Sequence, residues 1–458
     1  MRTSTLLSVA VAVGAVLAGG LTAVTPVAAN AASRATSAAR ATDLSRPQTA
    51  ALRTQLRAGT AARTRGTVDL CGRAGLACRL SALTVSKTSP SPLASSSAQI
   101  GYGAQDLQKA YGLVGATSAA GTVAVIETGT YPKVASDLAV YRRVNKLPGC
   151  TVAAGCLKIV NMIGGATLEP LPTRPDPLSG EEDLAVETAL DVDMVSAACA
   201  TCHILVVDLP LKDGFLPTTT ARADQQFRDF GAGVNTAVRL GARGVSLSYG
   251  LPASHYSDTV AAAPFKHPGV AITASSGDDG ATGDAPSWPQ NLTTVISAGG
   301  TSLHASGSTF RQSAWTGAGS SCSRDLPPAT GQPASVASAC GGHRASADLS
   351  TVADPDTGVS IYDSFAPASG TPLGFAVMGG TSASAPFVTG MNVRAGVRSD
   401  TVGPNHLYRA PTGSITDVTA GTNTAGSCSE HDRRACYAGK GWDGPTGLGT
   451  PRGLTAFG

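Results

Sequence analysis

The stretch GEEDLAVETALDVDMVSAACATCHILVVDL, residues 180–209, carries two periodicities in one run. Its first part sets Val186, Leu190, Met194 and Ala197 at helical spacing, with Ser179 and Glu182 forming a capping box at the start. Its last part, HILVVDL (203–209), is a nearly unbroken apolar run, as expected of a strand buried on both faces. Similar runs are TVAVIET (122–128), GVSLSYG (244–250), GVAITASSGD (269–278) and TVISAGGTSL (294–303), with helical stretches between several of them. The alternation predicts an α/β fold: a parallel sheet with right-handed crossovers and its functional loops at the strand C-terminal ends.

With 458 residues, 42% of them hydrophobic and 14% charged, the chain can bury one large core. Charge is low, Gly, Ser, Thr and Ala are abundant and no basic stripe is visible, so nucleic acid is not an expected partner. Ten of the 34 basic side chains fall within residues 1–80, opposed there only by Asp43 and Asp69, so loss of that segment would leave a mildly acidic protein.

Arg2, the apolar run from Leu6 to Val24, Pro26 and the small residues after it read as an export signal over residues 1–31, cleavable after Ala29, Ala31 or Ala32. A secreted, extracellular protein without stable membrane association is therefore expected, with monomer as the default state. Residues 32–97 are rich in Ala, Ser, Thr and Arg and read as a short pro-segment and linker, largely without a core of its own, leading to a domain over residues 98–458.

Eight of the ten cysteines form short local pairs: Cys71 with Cys78, Cys150 with Cys156, Cys199 with Cys202, Cys428 with Cys436; Cys322 and Cys340 remain as a fifth. In an exported chain, disulfides that staple loops are expected. Cys199-Ala-Thr-Cys202 also has the spacing of a redox or zinc motif, but no second such motif or paired histidines accompany it.

GGTSASAPF (379–387) places Ser382 after a Gly-Gly-Thr turn, in the manner of a hydrolase nucleophile. A serine hydroxyl needs a base, and His203, the only histidine before residue 250, sits at a strand start. Carboxylates can take that place. Glu187 and Asp191 lie four apart and leave one helix face together, though such pairs usually face water, and Asp183 shares the stripe. Asp278, in SSGDDG (275–280) at a strand end, could donate a hydrogen bond to an oxyanion if protonated; the same residues also suit a plain turn. Near the C-terminus Asp417 and Asp443 offer hard oxygen ligands, and Gly439 and Gly441 can turn carbonyls inward, which suits calcium or an ordinary glycine-rich loop.

Taken together, ETALDVDMVSAAC, SLSYG, TASSGDDG, GGTSASAP and ITDVTAG with GWDGPTGLGTP resemble the sedolisin family of serine-carboxyl peptidases over about residues 99–458. The resemblance implies a subtilisin-like fold with Ser382 as nucleophile, Glu187 as general base, Asp191 as its partner and Asp278 as the acid of the oxyanion site. It implies one calcium ion, held by the Asp417 and Asp443 carboxylates and the carbonyls of Val418, Gly439 and Gly441. Glu127 and Tyr249 match positions that can extend the hydrogen-bond network behind the triad, although the family often has tryptophan where this chain has Tyr249. The expected activity is hydrolysis of polypeptides at acidic pH through an acyl-enzyme. An inactive binding protein on the same scaffold and a serine esterase are the rivals, and the absence of a G-x-S-x-G elbow counts against the esterase.

Overall fold

The β-branched runs form the middle of an eight-stranded sheet. In the computed structural model the residues described are 46–57, 65, 67–69, 77–78, 80–86, 89–92, 94–95, 98–117, 119–171, 181–211, 220–252, 262–365, 373–424, 428 and 432–458, all within one unit, Ser37–Gly458. The elements that matter for the site are, in chain order, α1 (Arg46–Arg57), β1 (Thr67–Asp69), β2 (Ala77–Cys78), β3 (Ser81–Ser86), β4 (Thr122–Thr128), β5 (Leu157–Asn161), α2 (Glu181–Ala198), β6 (His203–Leu209), α3 (Thr220–Arg239), β7 (Ala242–Leu247), β8 (Tyr249–Pro252), β9 (Ala271–Ser275), β10 (Ile296–Ser306), β11 (Thr309–Ala314), β12 (Leu349–Val352), β13 (Val359–Asp363), β14 (Gly374–Gly379) and α4 (Thr381–Ala395).

The large sheet has the order β11-β10-β9-β7-β4-β6-β5, with β12 also paired to β10. Every pair in it is parallel except β10 with β11. Because β4 lies between β6 and β7, the strand order reverses there, and the C-terminal ends of β4, β7 and β9 open onto one edge. In β4 every residue from Val123 to Thr128 is buried, as its unbroken apolar pattern requires. Helix α3 packs over β4, β6 and β7, while α4 packs over β7, β9 and β10. The subtilisin-like architecture implied by the resemblance is the one observed.

Two features differ from a reading by periodicity. Helix α2 is buried all round from Leu184 to Ala198, so its acids at 187, 191 and 193 lie in the interior and not on a wet face. In addition, the segment ahead of residue 98 is woven into the rest. β3 pairs antiparallel with β14, and β2 with β8. Leu52 and Leu56 of α1 share an apolar cluster with Leu83, Ile100 and Val377.

The pairs Cys150–Cys156, Cys199–Cys202, Cys322–Cys340 and Cys428–Cys436 are disulfides. The CxxC motif is thus a staple. The Cys71–Cys78 pairing, the export signal, the Ser179–Glu182 cap and the Asp183 side chain lie outside the described residues.

Candidate active site

Ser382 is positioned by a strand, a tight turn and a helix. β14 ends at Gly379, Gly380 takes φ +97°, a conformation favourable only to glycine, and α4 begins at Thr381. Ser382 therefore sits in the first turn, at the positive end of the helix, fully buried. Pro386, four residues on, removes the N–H that would otherwise bond the Ser382 carbonyl.

The acids come from α2, which runs beside α4. A Cβ on Gly390 would lie 2.7 Å from the Ala198 Cβ, so only glycine permits this approach of the two helices. Two turns earlier, the same proximity brings Glu187 and Asp191 to Ser382. Glu187, Asp191 and Glu127 are each completely buried. The Ser382 Oγ donates to the Ser248 carbonyl at 3.3 Å. The Ser248 hydroxyl in turn contacts both Asp191 oxygens, at 2.8 and 3.0 Å. Behind them the Tyr249 hydroxyl donates to Glu127 Oε2 at 3.0 Å, and the Thr188 hydroxyl reaches the same oxygen at 3.3 Å. Tyr249 is backed by Phe230 of α3, ring centroids 5.7 Å apart.

Burial pushes all three carboxyls upward. Asp191 rises to about 7, with the hydrogen bonds from Ser248, Glu127 and Glu187 opposing the rise. Glu187 is held well above the ordinary range, by burial first and then by the Asp191 charge, and the nearby Ser382 hydroxyl works against this. Glu127 is raised in the same way, by burial and by the charges of Asp191 and Glu187. Three carboxyls in one dry site cannot all ionise, so up to neutral pH the cluster holds at most one charge, favoured on Asp191. Among the described residues no hydrogen bond of normal geometry is accepted by either Glu187 oxygen, which leaves them available to the serine proton.

Asp278 lies beyond the end of β9 and is tied to the residue before the serine. Its Oδ1 accepts from the Thr381 N–H at 2.8 Å and the Thr381 hydroxyl at 2.9 Å. The Thr381 oxygen also accepts from the Gly277 N–H at 3.0 Å. All four residues named from the sequence are therefore together. Sequence reasoning gave no role to Ser248 or Thr381, since a serine and a threonine inside SLSYG and GGTS carry no pattern of their own. Of the described histidines, His406 bonds to Asn392, His267 to Asn235 and His343 to the Leu326 carbonyl.

The C-terminal group also converges. Gly441 N–H donates to Asp417 Oδ2 at 2.8 Å, and Gly439 N–H to Asp443 Oδ2 at 2.9 Å. Asp443 Oδ1 accepts from the Thr446 N–H and hydroxyl, both at 2.9 Å. Burial lifts Asp443 to about 7, and the Asp417 charge adds to the rise. Two neighbouring acids are the donor chemistry of a hard-cation site, but the groups that Gly439 and Gly441 turn towards them are N–H donors and not the carbonyls expected from the sequence. Among the described residues no three His, Cys, Asp or Glu side chains gather as a metal cluster, so such a cation would depend on backbone carbonyls as well as these two acids.

No family model matches the chain. In sequence it is 29% identical over 324 residues to kumamolisin of Bacillus sp. (strain MN-32), an alignment covering 64% of this chain and 52% of kumamolisin, so the chain spans about half the length of that curated relative. In structure it is similar to Pseudomonas sedolisin, a serine-carboxyl proteinase solved with two molecules of pseudo-iodotyrostatin. The TM-score is 0.57 at 22% identity, over 77% of this chain and 95% of that one. By sequence to the one and by fold to the other, the chain resembles the serine-carboxyl peptidases of the sedolisin family.

Proposed function

We propose that the chain is a secreted serine-carboxyl endopeptidase that cleaves polypeptides at acidic pH through an acyl-enzyme. The observation that carries this reading is a buried serine at a helix N-terminus, linked through Ser248 to a cluster of buried carboxyls.

The Ser382 hydroxyl turns from the Ser248 carbonyl to Glu187, whose own proton passes to Asp191. Ser382 Oγ then bonds the peptide carbonyl carbon as Glu187 takes the hydroxyl proton. The oxygen of the tetrahedral intermediate is stabilised by a protonated Asp278, held by Thr381, and by the positive end of α4. Glu187 delivers its proton to the amine nitrogen as the C–N bond breaks. Water then attacks the ester, using Glu187 as base again, and restores Ser382.

Two ionisations bound the active range. The cluster must carry one charge to act as a base, and Asp278 must keep its proton. Burial moves the first condition upward, from the ordinary carboxylate value near 4 towards about 7 in the covered state. Water reaching the open cleft lowers it again, so the acid limb is expected between about 4 and 7.

Residues 32–97 serve in this reading as a short pro-segment. Its strand β2 pairs with β8, directly after Ser248, and β3 pairs with β14, directly before the Gly380 turn, and a covering role for it is part of this reading. Residues 1–31 act as the export signal. No helix among the described residues is long and apolar enough to cross a membrane. One calcium ion, held by Asp417, Val418, Gly439, Gly441 and Asp443, would neutralise the two acids and tie their loops together.

The deciding experiment is digestion of denatured casein across pH by the wild type and Ser382→Ala, with product ends read by mass spectrometry. Cleavage that peaks below neutrality and vanishes in the variant supports the reading. A flat profile from pH 4 to 9 removes the role given to Asp278, and cleavage that survives Ser382→Ala removes the whole proposal.

A further inference from the structure

We infer that Ser248 is a positioning residue of the catalytic cluster, holding the shared negative charge on Asp191 with its hydroxyl while its backbone carbonyl parks the nucleophile. The inference rests on the function proposed above. Ser248 occupies the break between β7 and β8, is completely buried, and faces two functional groups at once. Its hydroxyl has one proton and lies 2.8 and 3.0 Å from the two Asp191 oxygens, so it donates to one and touches both. Its carbonyl receives the Ser382 hydroxyl at 3.3 Å.

The groups facing Asp191 explain why a neutral donor is needed there. Glu187 lies one turn back on α2, Glu127 comes from β4, and Tyr249 from β8 bonds Glu127. Asp278, if it ionised, would push Glu187 up further, so it too supplies no counter-charge. No cation bears on Asp191 among these groups, so hydrogen bonds alone oppose the desolvation of its charge. Glu187 and Glu127 can donate only while protonated, and Glu187 gives up its proton during each turnover. Ser248 is the donor whose capacity does not change through the cycle.

The test uses the intact chain. In wild type, Ser248→Ala and Ser248→Thr, kcat and KM are measured for a quenched peptide across pH 3–8. A hydrogen bond to a charged group is worth about tenfold or more. Ser248→Ala is therefore expected to shift the acid limb upward by about one pH unit and to lower kcat about tenfold below that limb, with KM within twofold. Ser248→Thr, which keeps the hydroxyl, is expected to return the limb towards the wild type. A uniform loss at every pH, or an unmoved limb, overturns the inference.

A second readout does not need activity. In Ser382→Ala protein, infrared difference titration follows a buried carboxyl band assigned by its loss in Asp191→Asn. Adding Ser248→Ala should raise its midpoint by about one unit, and an unchanged midpoint overturns the inference even if no peptidase activity is found. Loss of wild-type cleavage in Ser382→Ala, scored separately, tests the proposed function itself.

Discussion

A protein built around buried, protonated acids should be more stable in acid than at neutrality, and the size of the effect can be worked from three groups. Asp191, Asp208 and Asp363 are each raised by burial to about 7. In the unfolded chain the same side chains titrate near 3.9. Between those values the folded protein holds protons that the unfolded chain has released, so the stability is fully present below about pH 4 and is lost as pH rises towards about 7. From pH 4.5 to 7.5 each group accounts for about 3 kcal/mol, or about 4 °C in Tm for a domain of this size. Asp443 is left out because a bound cation would ionise it. The assay is thermal unfolding of Ser382→Ala protein, which cannot digest itself, at fixed calcium. Tm should fall by roughly 10 °C across that interval. Asp363→Asn retains an acceptor for Tyr131 and Phe365 N–H but has no proton to lose, so it should remove about 4 °C of the fall. A Tm that is level or rises from pH 4.5 to 7.5, or an Asp363→Asn protein with the parent's full slope, would refute the reasoning.

Thr381→Val deletes the hydroxyl that holds Asp278 and receives the Gly277 N–H; kcat on a peptide substrate should drop about tenfold or more with KM little changed, measured by steady-state kinetics at the optimum. Chelation, or Asp443→Asn, should lower Tm by several degrees, and calcium should restore the chelated wild type but not the variant, read by thermal unfolding with and without the metal. Because β2 and β3 pair with the strands on either side of the site, β8 and β14, full-length wild type should show a lag in peptide cleavage that ends as the chain is cut ahead of residue 98, followed by gel and N-terminal sequencing; immediate full activity of the intact chain would count against a covering role.

Periodicity found the parts of the fold that rest on side-chain burial. The five apolar runs correspond to β4, β6, β7 with β8, β9 and β10, and the helix beginning near residue 180 is α2. What it missed rests on backbone pairing or on context. β1, β2 and β3 are short and rich in Ser, Thr and Ala, and what places β2 and β3 is their pairing with β8 and β14, so no alternation marks them in advance. The apolar stripe at 186, 190, 194 and 197 implied one buried face of α2, yet α4 and the neighbouring elements enclose all of them, which turns an ordinary acid pair into a dry one. Ser382 stands out in the sequence by its Gly-Gly-Thr turn, whereas Ser248 is visible only when strand β7 is seen to end against both Asp191 and Ser382.

Under the function proposed above, the same burial that would make the acids useful as a base also limits when they could act. An imidazole is neutral and ready at pH 7, but a carboxyl at the ordinary value near 4 is too weak a base to take a serine proton efficiently, and it must be raised. Here the raising comes from complete enclosure of Glu187, Asp191 and Glu127, and Ser382 is buried with them. Opening the cleft for a peptide admits water and erodes the shift, so the bound substrate must itself restore the dry environment by taking the place that β2 holds along β8. On this argument the reactive state exists only with a peptide strand in the cleft. Short esters that cannot pair with β8 should then be cleaved poorly even though acyl transfer to serine is chemically easier for them, and an ester rate at pH 4 exceeding that for a peptide long enough to pair with β8 would show that enclosure by substrate is not required.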